Sequence, residues 1–190
     1  MGGGLIKLEW FKRYEGTVTP QPGDYLVLSC DTAYTVSETA DWTVIMVWLV
    51  RPWKGMKMYI LLDVFRQKLE FPAVEKAILL LRQKWNASVV LVETVGAGVS
   101  LWQRLRQKLP LMVTSITPKD DKATRMMAQT PVIERGQVWI PKEALWLDAF
   151  ERELVSFPNG KHDDQVDSLW LFLFAAACNF RGAIPKPIAA

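Results

Sequence analysis

A chain of 190 residues, half of them hydrophobic, is long enough for one domain with a sizeable core. Its formal charge of +3 is mildly basic, which permits a polyanionic partner without requiring one. Two cysteines without CxxC spacing and one histidine all but exclude a structural zinc site or a disulfide framework, so Cys30 and Cys178 read as small buried hydrophobes in a reducing compartment.

The apolar stretch at the start turns charged too soon for a signal peptide. The longest apolar run, 166–180, falls short of the roughly 20 residues of a membrane span and reads as a buried core helix, so no membrane partner is expected. Residues 1–23 read as an entry segment rather than a core element: Gly2 to Gly4 form a flexible tract of the kind that links domains, and Pro20, Pro22 and Gly23 punctuate the approach to the first strand. Residues 24–190 form the domain proper.

Residues 25–30 (YLVLSC) are a continuous run of strand formers, the composition of a strand buried on both faces, and the run ends in Asp31. Polar, turn-like residues 32–41 lead to a second strand, 42–50, and the turn at 51–55 (RPWKG) to a third, 56–65. These tight connections make an antiparallel meander. Residues 70–85 carry apolar side chains at helical spacing with Pro72 in the first turn. A fourth strand, 88–92, ends in Glu93. Residues 94–98 turn into a helix over 99–109, and a fifth strand follows at 111–116. Strand, helix, strand, helix, strand is the pattern of parallel pairing with right-handed crossovers. Residues 117–125 are polar and basic and start a short helix to about 129. Residues 131–141 read as a hairpin turning at Arg135 and Gly136. An amphipathic helix spans 144–155, and the loop 157–161 delivers the last helix. The fold class is therefore α/β, with a five-stranded mixed sheet, three strands antiparallel and then parallel, flanked by helices and carrying a β-hairpin insertion.

The last helix begins with KHDDQVDSLW. At helical spacing Asp163, Asp164 and Asp167 share one face and repel one another, yet the chain from Ser168 onward is too apolar for a solvated helix. Helix capping accounts for one or two such acids, less well for three. Asp31 could form a turn and Glu93 could be the solvent end of a strand, but ligands in open sheets gather at the carboxyl ends of parallel strands. If the first and fourth strands are parallel neighbours, Asp31, Glu93 and the helix acids meet. Such carboxylates select hard divalent ions, Mg²⁺ or Mn²⁺, and two ions are expected for in-line displacement at phosphorus.

Five segments in this order, SCDTA, LLDVFRQKLEFP, VETVGAG, KDDKATR with PVIERGQVWIP, and HDDQVDSLW, resemble the C-terminal nuclease domain of the large terminase subunit of tailed bacteriophages, a ribonuclease H-like fold; the resemblance covers nearly the whole chain. It implies metal ligation by Asp31, Glu93 and the last-helix aspartates, endonucleolytic cutting of double-stranded DNA during genome packaging, and a place in the cytoplasm of the bacterial host. By position Asp164 comes first among the helix ligands, then Asp167, with Asp163 in support. The implied partners are a terminase ATPase domain, the small terminase subunit and the portal. The chain itself has no G-x-x-x-x-G-K-[ST] loop, so it is not by itself the motor.

Lys119, Lys122 and Arg125 are candidates for the DNA backbone, as are Arg104, Arg106 and Lys108, though solvated helix faces explain the second set equally well. His162 could orient a carboxylate or contact phosphate, or be a partly exposed loop residue. Trp53 and Trp102 are weak candidates for exposed contacts. Three alternatives remain: a resolvase or transposase type of ribonuclease H-like nuclease, a ribonuclease H proper, and a non-catalytic docking module whose acids are surface charge. A sugar-kinase or actin-like ATPase is disfavoured, because residues 32–50 lack the glycines that cradle phosphate after the first strand.

Overall fold

The computed structural model describes residues 4–33, 42–96 and 98–189. In chain order the strands are β1 (Lys12–Tyr14), β2 (Tyr25–Asp31), β3 (Thr43–Trp53), β4 (Met56–Gln67), β5 (Val89–Glu93), β6 (Val113–Ile116) and β7 (Val138–Pro141). The helices are α1 (Phe71–Trp85), α2 (Gly98–Lys108), α3 (Lys122–Met127), α4 (Thr130–Glu134), α5 (Leu147–Ser156) and α6 (Asp164–Ala177). Among the described residues the strands form one mixed sheet in the order β1-β7-β4-β3-β2-β5-β6. β2, β3 and β4 are the antiparallel meander, and β2, β5 and β6 pair parallel through the α1 and α2 crossovers.

Two apolar layers sandwich the sheet, and strand periodicity assigns each side chain to one of them. Leu26, Leu28, Cys30, Val90 and Val92 face α1 and α2. Tyr25, Val27, Val89 and Leu91 face the layer holding α5 and α6. Continuing that alternation puts Ser29, Asp31 and Glu93 on the α6 side. α6 is buried nearly all round, as its composition requires, with Trp48 of β3 stacked on Phe172 at 4.1 Å between ring centroids.

Three features differ from the sequence reading. The sheet has seven strands rather than five, because two short segments extend it beyond β4. One is β1: residues 4–23 include Ile6 and Phe11, both in the core layer, and β1 pairs parallel with β7. The other is β7, which replaces the hairpin expected over 131–141. Pro131 sits in the first turn of α4, where its missing N–H costs nothing, and Gly136 at φ 71° ends that helix. The residues on either side of Arg135 and Gly136 are thus a helix and a strand, and β7 lies parallel between β4 and β1. The polar residues 34–41 of the expected turn lie outside the described residues, as does Ala97 of the turn before α2. Cys30 is buried as expected, whereas Cys178 is half-buried.

Candidate active site

The parallel pairing of β2 with β5 places Cys30 beside Val92, so Asp31 and Glu93 follow side by side at the carboxyl ends of adjoining strands. α6 crosses this end of the sheet antiparallel to β2. Its direction is fixed at two points: the Phe180 ring beyond its C-terminus meets Tyr25 at the start of β2, and Ser168 meets Ser29. Ser168 Oγ donates to the Ser29 carbonyl at 3.0 Å, while Ser29 Oγ accepts from the buried indole of Trp48 at 3.1 Å. Asp31 lies two residues beyond Ser29 on the same strand face, and Asp164 lies one helical turn before Ser168, so the two carboxylates are carried to the same end.

The resulting proximity is visible in the electrostatics. Burial drives the Asp31 carboxyl well above its ordinary range, and the neighbouring charges of Asp167, Glu93 and Asp164 push it further, with Lys122 opposing. Burial likewise raises Glu93 and Asp167. Arg125, Lys122 and the other acids act on both in opposite senses. Asp31, Glu93, Asp164 and Asp167 thus lie close enough for their charges to act on Asp31.

Three supports hold α6 in place. The Trp42 N–H donates to Asp164 Oδ1 at 3.2 Å. Glu153 of α5 is buried and receives the Gln165 N–H at 2.5 Å and the Gln165 side-chain amide at 2.7 Å, placing an anion against the helix N-terminus. Arg66 lies 3.5 Å from Glu153 and stacks on Trp42. Ser29, Ser168 and Glu153 escape the sequence reading, although a signal exists for each: serines inside apolar runs and an acid one helical step from Phe150. The Trp42 backbone contact leaves no trace in the sequence.

The basic candidates divide sharply. Lys122 Nζ lies 2.7 Å from Asp163 Oδ1 and 2.6 Å from Asp167 Oδ2. Arg125 is buried, with Nη2 at 3.0 Å from Asp167 Oδ1, Nη1 at 3.9 Å from Glu93 Oε2 and its guanidinium over the Trp170 ring. Both thus point into the acids. Lys119 stays at the surface, and the Nδ1 of half-buried His162 lies 3.8 Å from Asp164 Oδ2. Arg104 and Lys108 bind Glu75 and tie α2 to α1, while Arg106 stacks on Trp102.

A donor set made of carboxylate oxygens fits a hard divalent cation in chemistry. Among the described residues, no group of three or more Asp, Glu, His or Cys side chains is placed to hold a metal ion, and Lys122 and Arg125 pair with Asp163 and Asp167. No helix among the described residues is long and apolar enough to cross a membrane.

Residues 28–176 match the family described as the terminase RNaseH-like domain. Among solved structures, the chain is similar to the large terminase nuclease of thermophilic phage G20c with bound magnesium, at 16% identity and TM-score 0.66, covering 90% of this chain and 97% of that one. It is also similar to the large terminase nuclease domain of Thermus phage P74-26, at 16% identity and TM-score 0.63, covering 86% of this chain and 90% of that one. The large terminase of another thermophilic bacteriophage matches at 14% identity and TM-score 0.62, over 91% of this chain but 44% of that one. No curated protein matches.

Proposed function

Because the chain belongs to the terminase RNaseH-like domain family, we propose that it is the metal-dependent endonuclease domain of a bacteriophage terminase large subunit, cutting double-stranded DNA during genome packaging. The observation that carries this reading is the pairing of β2 with β5 beneath α6, which supports a single carboxylate pocket made of Asp31, Glu93, Asp164 and Asp167, with Asp163 at its rim.

These carboxylates would hold Mg²⁺ or Mn²⁺, two ions by the number of acids. When bound, such ions supply the Lewis acidity for in-line displacement at phosphorus. The chain's own contribution is orientation and charge. Trp42 N–H and Glu153 fix the start of α6 so that Asp164 faces the strand ends, and the Ser29–Ser168 contact sets its depth. Asp167, Glu93 and Asp164 crowd like charge around Asp31, and a bound cation would relieve that repulsion. His162 beside Asp164 would be suited to phosphate rather than to the cation, and surface-exposed Lys119 would add positive charge for the DNA backbone.

An ATPase domain, a small subunit and a portal belong to the same proposal, with residues 1–23 as the junction toward the ATPase domain and the host cytoplasm as the site of action. The test is cleavage of supercoiled plasmid, branched DNA and an RNA:DNA hybrid with Mn²⁺. Plain duplex should be cut in an Asp31-dependent way. Preference for the branched or hybrid substrate would move the chain to another ribonuclease H-like activity. Anomalous density from Mn²⁺ in a soaked crystal, at the strand ends or elsewhere, decides the ligands independently of activity.

A further inference from the structure

We propose that Lys122 is a built-in competitor for the divalent cation: its ammonium bridges Asp163 and Asp167 in the metal-free protein and must leave before those oxygens can ligate an ion. The inference rests on the carboxylate pocket being a metal site.

The local architecture makes Lys122 movable and its neighbour fixed. Asp121 caps α3, accepting the Thr124 N–H at 3.0 Å and the Thr124 hydroxyl at 2.6 Å, so Lys122 is the first residue of a pinned helix. One turn on, Arg125 is 7% exposed, bonded to Asp167 and stacked on Trp170, which fastens α3 to α6. Its Nη1 also faces Glu93 Oε2 at 3.9 Å, so the guanidinium is held among the acids rather than drawn away from them. The Lys122 side chain, by contrast, is 48% exposed and reaches the acids from the rim on a flexible stem.

The oxygens it holds are those a hard cation would need. Its ammonium is 2.6 Å from Asp167 Oδ2 and 2.7 Å from Asp163 Oδ1. A divalent ion bound to either carboxylate at about 2.0–2.5 Å would face a full positive charge within one residue's reach. The two cations therefore compete for the same oxygens. Metal loading becomes an exchange, in which the gain from coordination must first offset the two ion pairs of Lys122.

The experiment is calorimetric titration of Mn²⁺ into the full chain near neutral pH at low salt, for the parent, Lys122→Met, Lys122→Gln, Lys122→Arg and Asp31→Asn. Both neutral variants should bind Mn²⁺ about tenfold more tightly, equivalent to about 1.4 kcal/mol. Lys122→Arg, which keeps the charge, should bind like the parent. Melting curves without metal verify that each variant is folded, and the Gln variant stands in if the Met variant is not. If the parent binds Mn²⁺ through Asp31 but neither neutral variant binds more tightly, the competitor role is wrong and the metal site stands. If no protein shows Asp31-dependent binding, the metal site and the competitor role fall together.

Discussion

Ser168 donates its hydroxyl to the Ser29 carbonyl at 3.0 Å across the seam between α6 and β2. Around this contact the indole of Trp48 bonds Ser29 Oγ and the Trp48 ring stacks on Phe172. The contact fixes both the depth and the rotation of the helix that carries Asp164 and Asp167. Buried polar groups that satisfy one another specify a single packing arrangement more sharply than an apolar seam does.

Replacing Ser29 by Ala leaves the buried Trp48 N–H without its acceptor, and the expected loss is about 1–3 kcal/mol. Ser168→Ala should cost about 1–2 kcal/mol. Because the two hydroxyls share one network, the double variant should lose less than the sum. Urea denaturation of the three variants measures all of this, and additive losses would show that the seam is not coupled.

Asp31→Asn should abolish Mn²⁺-dependent plasmid cleavage while leaving the metal-free protein as stable as the parent or more so, since it removes a charge that Asp167, Glu93 and Asp164 repel. In the parent, Mn²⁺ should raise the melting temperature by binding only the folded state, and in Asp31→Asn the rise should shrink or vanish. An unchanged rise would remove Asp31 from the ligand set.

The pH dependence has a definite sign. Asp31, Glu93 and Asp167 hold their protons more tightly folded than at their ordinary values of 3.8, 4.5 and 3.8. Such groups contribute stability that is fully present below the unfolded value and is lost as pH rises through the folded one. With chelator present, the parent should therefore lose stability relative to Asp31→Asn from about pH 4 upward and level off once Asp31 is ionised. Mn²⁺ affinity should rise over the same interval, because the ligands must shed protons to bind. Denaturation and titration series across pH check both slopes, and a flat difference between the two proteins would contradict the first.

Glu153→Gln keeps the size of the group that receives the Gln165 N–H but removes its charge from the start of α6 and from Arg66. The expected cost is about 1–2 kcal/mol. Since the same helix end presents Asp164, Mn²⁺ affinity should weaken several-fold. A stability loss with unaltered affinity would make Glu153 a purely structural cap.

Much of this protein is legible in the linear chain, for local physical reasons. A continuous apolar run such as 25–30 can only be a doubly buried strand or a core helix, and its shortness and strand-forming composition decide for the strand. Acids at the ends of two such runs, and three more opening an apolar helix, are costly enough in isolation to signal that they converge. The α/β class, the antiparallel-then-parallel order and the acidic residues follow from those patterns.

Other features depend on partners distant in sequence. Residues 12–14 and 138–141 are too short to declare themselves as strands, and they become strands only because each completes the other's hydrogen bonds beside β4. The turn residues Arg135 and Gly136 suit a helix stop as well as a hairpin, and Pro131 in a helical first turn settles which. Lys122 and Arg125 read along the chain as surface charge for a phosphate backbone. Docking α3 on α6 turns both inward onto Asp163 and Asp167, because an ion pair across 41 or 42 residues is set by which surfaces pack together and not by any local spacing. Residue type and period thus determined which side chains are candidates for the chemistry. Only the packing of helix on sheet decided which of them touch, since that choice minimises buried unpaired charge over the whole molecule rather than along any one stretch.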